Sequence, residues 1–145
     1  MTALFDFIHT VSQDEIDAQQ HVHNLRYLQW TLWAAGAHTR ECGWDAEQAR
    51  ENGVGCVVRN HSIKYRAAAK AGDQVTVRTL VNEVQRFASR RQYAICRPAD
   101  RTLLARVETR WVYVDLNIEK VIPVPDEARK FLTIVDTVPR MPWED

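Results

Sequence analysis

Residues Ile16 to Cys42 read IDAQQHVHNLRYLQWTLWAAGAHTREC, and the rest of the 145-residue chain is best understood from this stretch. From Asn24 onward apolar residues recur at helical spacing. Leu25, Leu28, Leu32, Ala35 and Thr39 form one stripe, with Tyr27, Trp30, Ala34 and His38 on a neighbouring one. Apolar groups then cover most of the circumference, which predicts a helix buried inside a larger structure. Gly43 supplies a stop suited to the left-handed cap position. Ahead of the helix, Asp17 to Asn24 (DAQQHVHN) brings one carboxylate, two imidazoles and several amides together, and Asp17 is the only acid in the stretch from Asp17 to Arg40.

The flanking segments supply what would wrap such a helix. Leu4, Phe5, Phe7, Ile8 and Val11 read as an opening strand, which the polar run Ser12 to Gln20 ends. Asp45 to Asn52 reads as a short polar helix or loop closed by Gly53 and Gly55. Cys56 to Arg66, Gln74 to Phe87, Arg90 to Arg97 and Leu103 to Val114 are rich in Val, Ile, Thr and Tyr and read as strands. Ala71-Gly72-Asp73, Ala88-Ser89 and Pro98-Ala99-Asp100 carry turn chemistry, so consecutive strands are expected to pair antiparallel as a meander. Val124 to Leu132 reads as a terminal helix, and Pro139 to Asp145 as a loose tail. The fold class that follows is α+β, one antiparallel sheet around one long helix. Its bare edges and helix ends predict at least a homodimer.

The length suits one domain, residues 1–145. Nineteen Lys and Arg balance nineteen Asp and Glu, so no net field favours nucleic acid or an acidic membrane. The N-terminal residues lack a basic leader, no segment reads as a membrane span, and Cys42, Cys56 and Cys96 lack CxxC spacing. Reduced thiols and a cytoplasmic location are expected, with no nucleic-acid or membrane partner.

The chemistry concentrates where the polar loop meets the helix. The first N–H groups of a helix have no internal acceptors and carry partial positive charge, so they polarise a carbonyl and stabilise an oxyanion. A carboxylate opposite, Asp17, would attack that carbonyl or deprotonate a water. The same residues also fit an ordinary loop aspartate with Asn24 as helix N-cap. A metal site of Asp17, His21 and His23 lacks a fourth ligand, and no metal is called for. A triad through His61 and Ser62 is rejected, because Ser62 has strand-like neighbours and no glycine-flanked turn. Arg86, Arg90 and Arg91 flank a short connection and form either a phosphate-holding cluster or solvated hairpin charges.

Asp17 to Leu28 (DAQQHVHNLRYL), Ile63 to Ala68 (IKYRAA) closed by Ala71-Gly72-Asp73, and Arg110 to Asp115 (RWVYVD) followed by Ile122 to Pro125 (IPVP) together resemble the hotdog-fold acyl-CoA thioesterases of the 4-hydroxybenzoyl-CoA thioesterase type. The resemblance implies a five-stranded antiparallel sheet around the helix, in a homodimer or dimer of dimers, with acyl-CoA as substrate. It calls for no cofactor, since coenzyme A enters with the substrate. Asp17 then takes the role of nucleophile or general base, and the Asn24 backbone N–H that of carbonyl polariser. Gln20, His21, His23 and Tyr27 would lie around the substrate, and Ser89, Arg90 and Arg91 near the CoA phosphates. Gln20 stands where the family usually has glycine. The helical acid of a second hotdog class is missing, so Asp17 would work alone. Two other functions fit the same resemblance: an acyl-binding protein without turnover, and an enoyl-CoA hydratase using Asp17 and His21.

Overall fold

The computed structural model describes residues 3–145; Met1 and Thr2 of the opening segment lie outside the described residues. Strands β1 (Leu4–Thr10), β2 (Val54–Tyr65), β3 (Gln74–Val84), β4 (Ala88–Arg97), β5 (Thr102–Asp115) and the short β6 (Lys120–Ile122) form one antiparallel sheet. Helix α1 (Asn24–Glu41) packs across it, and the short α2 (Ala46–Glu51) and α3 (Asp126–Phe131) flank it. The α+β class and the single wrapped helix are as expected, with β6 a small addition to the five long strands. Gly43 adopts φ +98°, where a Cβ would be strained, and lets the chain turn away after α1.

The sheet order is β1-β3-β4-β5-β2, with β6 beside β5. The expected meander therefore holds for β3, β4 and β5 only. β2 pairs with β5, and the Ala71-Gly72-Asp73 turn delivers the chain to the opposite side of the sheet. Turn residues specify a local reversal but not which strand lies beyond it. The crossover is held by α1 and the loop before it: the Ala69 N–H donates to the Tyr27 hydroxyl (2.9 Å) and the Val22 N–H to the Ala69 carbonyl (3.0 Å). The turn expected at Ala88-Ser89 falls at residues 85–87 instead, and both residues already belong to β4.

The stripe of Tyr27, Trp30, Ala34 and His38 is buried, and of the other stripe Ala35 is buried too. These residues and Thr31 face the sheet, whereas Leu25 is 65% exposed and Leu32 and Trp33 are also open. A single sheet layer covers one side of a helix, so Leu25 and Leu32 of the second stripe are left open in the lone chain. The main core joins Tyr27, Trp30 and Ala34 to Val75, Val77, Tyr93, Ile95, Ala105 and Val107 on the inner sheet face.

The outer face is closed by the C-terminal segment, which is packed and not loose. Met141 and Trp143 sit on Ala94, Cys96 and Leu103. Arg78, 4% exposed, holds Asp6 through Nε (2.8 Å) and Nη2 (2.9 Å) and Asp145 through Nη1 and Nη2 (2.8 Å each). Those hydrogen bonds push its pKa further above the ordinary arginine value. Sequence composition showed the polar residues of this tail but not the buried guanidinium awaiting one of them.

Candidate active site

The loop before α1 is a small closed hairpin. Ile16 and Val22 form an antiparallel bridge, the Asp17 N–H donates to His21 O (2.8 Å), and the Gln20 N–H donates to Asp17 O (3.1 Å). Gln20 sits at φ 65°, in the left-handed region that disfavours a side chain by about 1 kcal/mol. The backbone here thus explains why glycine suits this position. Asp17 Oδ1 accepts the N–H groups of Gln19 (2.8 Å) and His21 (3.3 Å), an Asx turn that orients the carboxylate. Among the described residues no donor meets Oδ2.

Glu15 fastens this loop to α1. It is 3% exposed; Oε1 takes the Ser12 N–H (3.0 Å) and contacts His9 Nε2 (2.6 Å), while Oε2 takes the Trp30 indole N–H (2.8 Å). Burial alone would raise its pKa. The hydrogen bonds from Ser12, His9 and Trp30 outweigh that and hold the carboxyl below its ordinary value. The His23 N–H also donates to Glu15 O (2.9 Å), so the loop leaves and rejoins one anchored point. Glu15 carried a legible signal, the Ser12-x-x-Glu15 spacing of a capping box.

The helix cap is His23, not Asn24. His23 Nδ1 accepts the Leu25 N–H (3.2 Å), which leaves its ring proton on Nε2, and Asn24 is the first helical residue. Among the described residues no acceptor takes the Asn24 N–H. Its carbonyl is held by the Tyr65 hydroxyl (3.0 Å), and the Tyr65 ring stands edge-on to Tyr27 at 5.4 Å. Asp17, His21, Asn24, Tyr27 and Tyr65 line one open depression of about 250 Å³, with residues 66–68 of the crossover as its far wall. Tyr65 stood inside the IKYRAA stretch, yet only the β2 crossover brings it to the helix start. Gln20 and His23 lie outside the depression's lining, and among the described residues no imidazole is hydrogen-bonded to the Asp17 carboxylate. No group of three or more metal-ligating side chains gathers among the described residues.

The three β4 residues divide between the two sheet faces. Arg90 bonds Asn82 (3.1 Å) and Glu83 (3.1 Å). Ser89 and Arg91 turn inward beneath α1, where Arg91 bonds His38, fourteen residues beyond Asn24 and so about 21 Å along the helix. Within one chain the structure therefore separates Ser89, Arg90 and Arg91 from the Asp17 depression.

One depression at the start of a sheet-wrapped helix is thus lined by both Asp17, with an unshared carboxylate oxygen, and Asn24, with a bare helix N–H. The model of the thioesterase-like superfamily matches residues 11–132. The chain belongs to this superfamily. Among solved structures, a 1,4-dihydroxy-2-naphthoyl-CoA thioesterase from Synechocystis is 21% identical over 89% of this chain and 95% of its own, with a TM-score of 0.83. A DHNA-CoA thioesterase from Staphylococcus aureus is 19% identical over 88% of this chain and 89% of its own, with a TM-score of 0.81. A mutant 4-hydroxybenzoyl-CoA thioesterase complexed with 4-hydroxybenzoyl-CoA is 16% identical over 91% of this chain and 100% of its own, with a TM-score of 0.82. A search of curated sequences gives no match. The structural likenesses establish the hotdog fold, and membership of the superfamily supports thioester hydrolysis in general. No described helix is long and apolar enough to cross a membrane.

Proposed function

We propose that the protein hydrolyses an acyl-CoA thioester at the depression before α1. The observation that carries this reading is the pairing of an unshared carboxylate oxygen, Asp17 Oδ2, with an unpaired helix N–H, Asn24, on one open wall. The thioester carbonyl is polarised at the Asn24 N–H, helped by the positive end of α1. Asp17 either attacks the carbonyl carbon, giving an acyl-aspartyl anhydride that water then cleaves to the free acid, or takes a proton from the water that attacks directly, and in both cases the CoA thiolate leaves. Tyr65 and Glu15 act as positioning residues, one fixing the Asn24 peptide and the other the loop that carries Asp17.

A homodimer, or a dimer of dimers, completes this reading. Among the described residues β2 pairs only with β5 and leaves a twelve-residue edge without a partner strand, and Leu25, Leu32 and Trp33 expose apolar surface on α1. Light scattering is expected to give twice or four times the chain mass, and a monomer at micromolar concentration would contradict the assembly.

The deciding experiment is thiol release across a panel of aromatic, short-chain and long-chain acyl-CoAs, 4-hydroxybenzoyl-CoA among them. Asp17→Asn keeps the Oδ1 acceptor of the Asx turn, so the loop survives while the reactive oxygen is lost. Its kcat is expected to fall at least about a hundredfold. No release by the wild type, or an unimpaired Asp17→Asn, sinks the mechanism and favours an acyl-binding protein without turnover. Loss of enoyl absorbance from crotonyl-CoA without thiol release would instead identify a hydratase.

A further inference from the structure

At the far end of α1 a second cavity, of about 170 Å³, opens between the helix and the inner sheet face. Leu32, Ala35, Gly36, Trp44, Trp111 and Leu132 give it mostly apolar walls, and Arg91 lies in its floor. Arg91 is 4% exposed. Its Nη1 donates to His38 Nδ1 (2.8 Å) and to the Thr79 hydroxyl (3.2 Å); a guanidinium only donates, so His38 is the acceptor there. Among the described residues no carboxylate is in salt-bridge contact with Arg91, and no acceptor meets its Nε–H or Nη2–H groups.

Those two nitrogens form the edge of a guanidinium whose N–H bonds run parallel and match the two oxygens of a carboxylate. The molecule shows the match elsewhere: Arg78 presents the same Nε and Nη2 edge to Asp6 at 2.8 and 2.9 Å. On the outer face the chain supplies the carboxylate, whereas at Arg91 it supplies a cavity. A buried cation with an open fork is costly unless an anion meets it. The volume sets the ligand size, since a cavity of about 150 Å³ accepts a benzene ring.

We propose that this cavity is a carboxylate-binding site: the carboxylate sits on the Nε and Nη2 edge of Arg91, and a small aryl or alkyl body lies against Leu32, Ala35 and Leu132. The carboxylate has two chemical sources, a free organic acid or the acidic end of a carboxyl-terminated acyl group. The second source rests on the thioesterase reading above; the first does not.

Calorimetric titration with benzoate and pentanoate, and with neutral benzamide, tests the site directly. Saturable millimolar binding of the acids is expected, with benzamide at least tenfold weaker. Arg91→Met is expected to weaken acid binding at least tenfold. Gly36→Leu, which keeps Arg91 but extends a side chain from a position where an added Cβ meets nothing within 4 Å, is expected to do the same by filling the cavity. No binding by the wild type, equal binding of benzamide, or binding unchanged in both variants overturns the proposal.

A second arm compares thiol release from acyl-CoAs of matched length ending in carboxylate or methyl, from four to sixteen carbons. A tenfold or greater preference for the carboxylate series, with the ratio collapsing in Arg91→Met, assigns the carboxylate to the acyl group. Acid binding without that preference assigns it to a free acid. Absence of all thiol release removes the thioesterase reading, while the titrations still decide the site.

Discussion

The two ends of α1 place charge in opposite ways. At the N-terminal end the carboxylate of Asp17 stands in an open depression that Asn24, with its bare N–H, also lines. At the C-terminal end the guanidinium of Arg91 is buried, bonded to His38 and Thr79, and bordered by an apolar cavity. An open charge is hydrated at little cost and remains reactive. A buried charge must be met by a partner, and when the chain withholds one the site is shaped for a ligand. On the proposed reading, one helix joins a place of hydrolysis to a place of recognition.

Breaking the anchorage of the N-terminal end should have the largest effect on stability. Glu15→Ala strands the Trp30 indole N–H and the Ser12 N–H, and is expected to cost about 3 kcal/mol in urea unfolding. The same carboxyl sets an acid limit. Its folded pKa lies below the ordinary 4.5, so its stabilisation is complete above that value and is lost as pH falls through the lower, folded one. Glu15→Gln should therefore flatten the stability profile below about pH 4.5; a mutant with the wild-type acid slope would show that Glu15 is not the group responsible.

The two buried arginines sharpen the contrast. Arg78→Met removes a cation that holds Asp6 in a two-point ion pair, and should cost about 2 kcal/mol. Arg91→Met exchanges a buried cation for an apolar side chain of similar length beside an apolar cavity, and should change stability by less than about 1 kcal/mol. If Arg91→Met is the more damaging of the two in chemical denaturation, Arg91 is a structural strut and its open fork carries no message.

The smallest effects should come from opposite substitutions at the two ends. Gln20→Gly relieves a left-handed backbone and is expected to add about 0.5 to 1 kcal/mol. Gly36→Ala removes a mid-helix glycine where the new Cβ meets nothing within 4 Å, and is expected to add a similar about 0.5 to 1 kcal/mol. Thermal melts of the two variants check both, and a drop in either would mean that the local backbone is held by something other than its own conformation.

Much of this was legible in the chain itself. The start and end of α1, the four long strands after it, and the placing of Asp17 just ahead of a helix follow from local periodicity and from turn and cap residues. The cap alternative at Asn24 does not hold: Asn and His both stand at the boundary, and only the ring geometry shows that His23 accepts the Leu25 N–H. The role of Tyr65 was hidden for a different reason: it reaches Asn24 across 41 residues, through a strand that skips its neighbour in sequence.

What the sequence by itself determined was the long elements and the residue types gathered at the helix start, because helical and strand periods, caps and turns act within a few residues. Tertiary structure alone decided which α1 stripe is buried, that β2 lies beside β5, and that Arg78 meets carboxylates while Arg91 faces a cavity. Those outcomes depend on strand register, where a shift of one residue exchanges the two faces of a sheet, and on pairings between residues far apart in the chain.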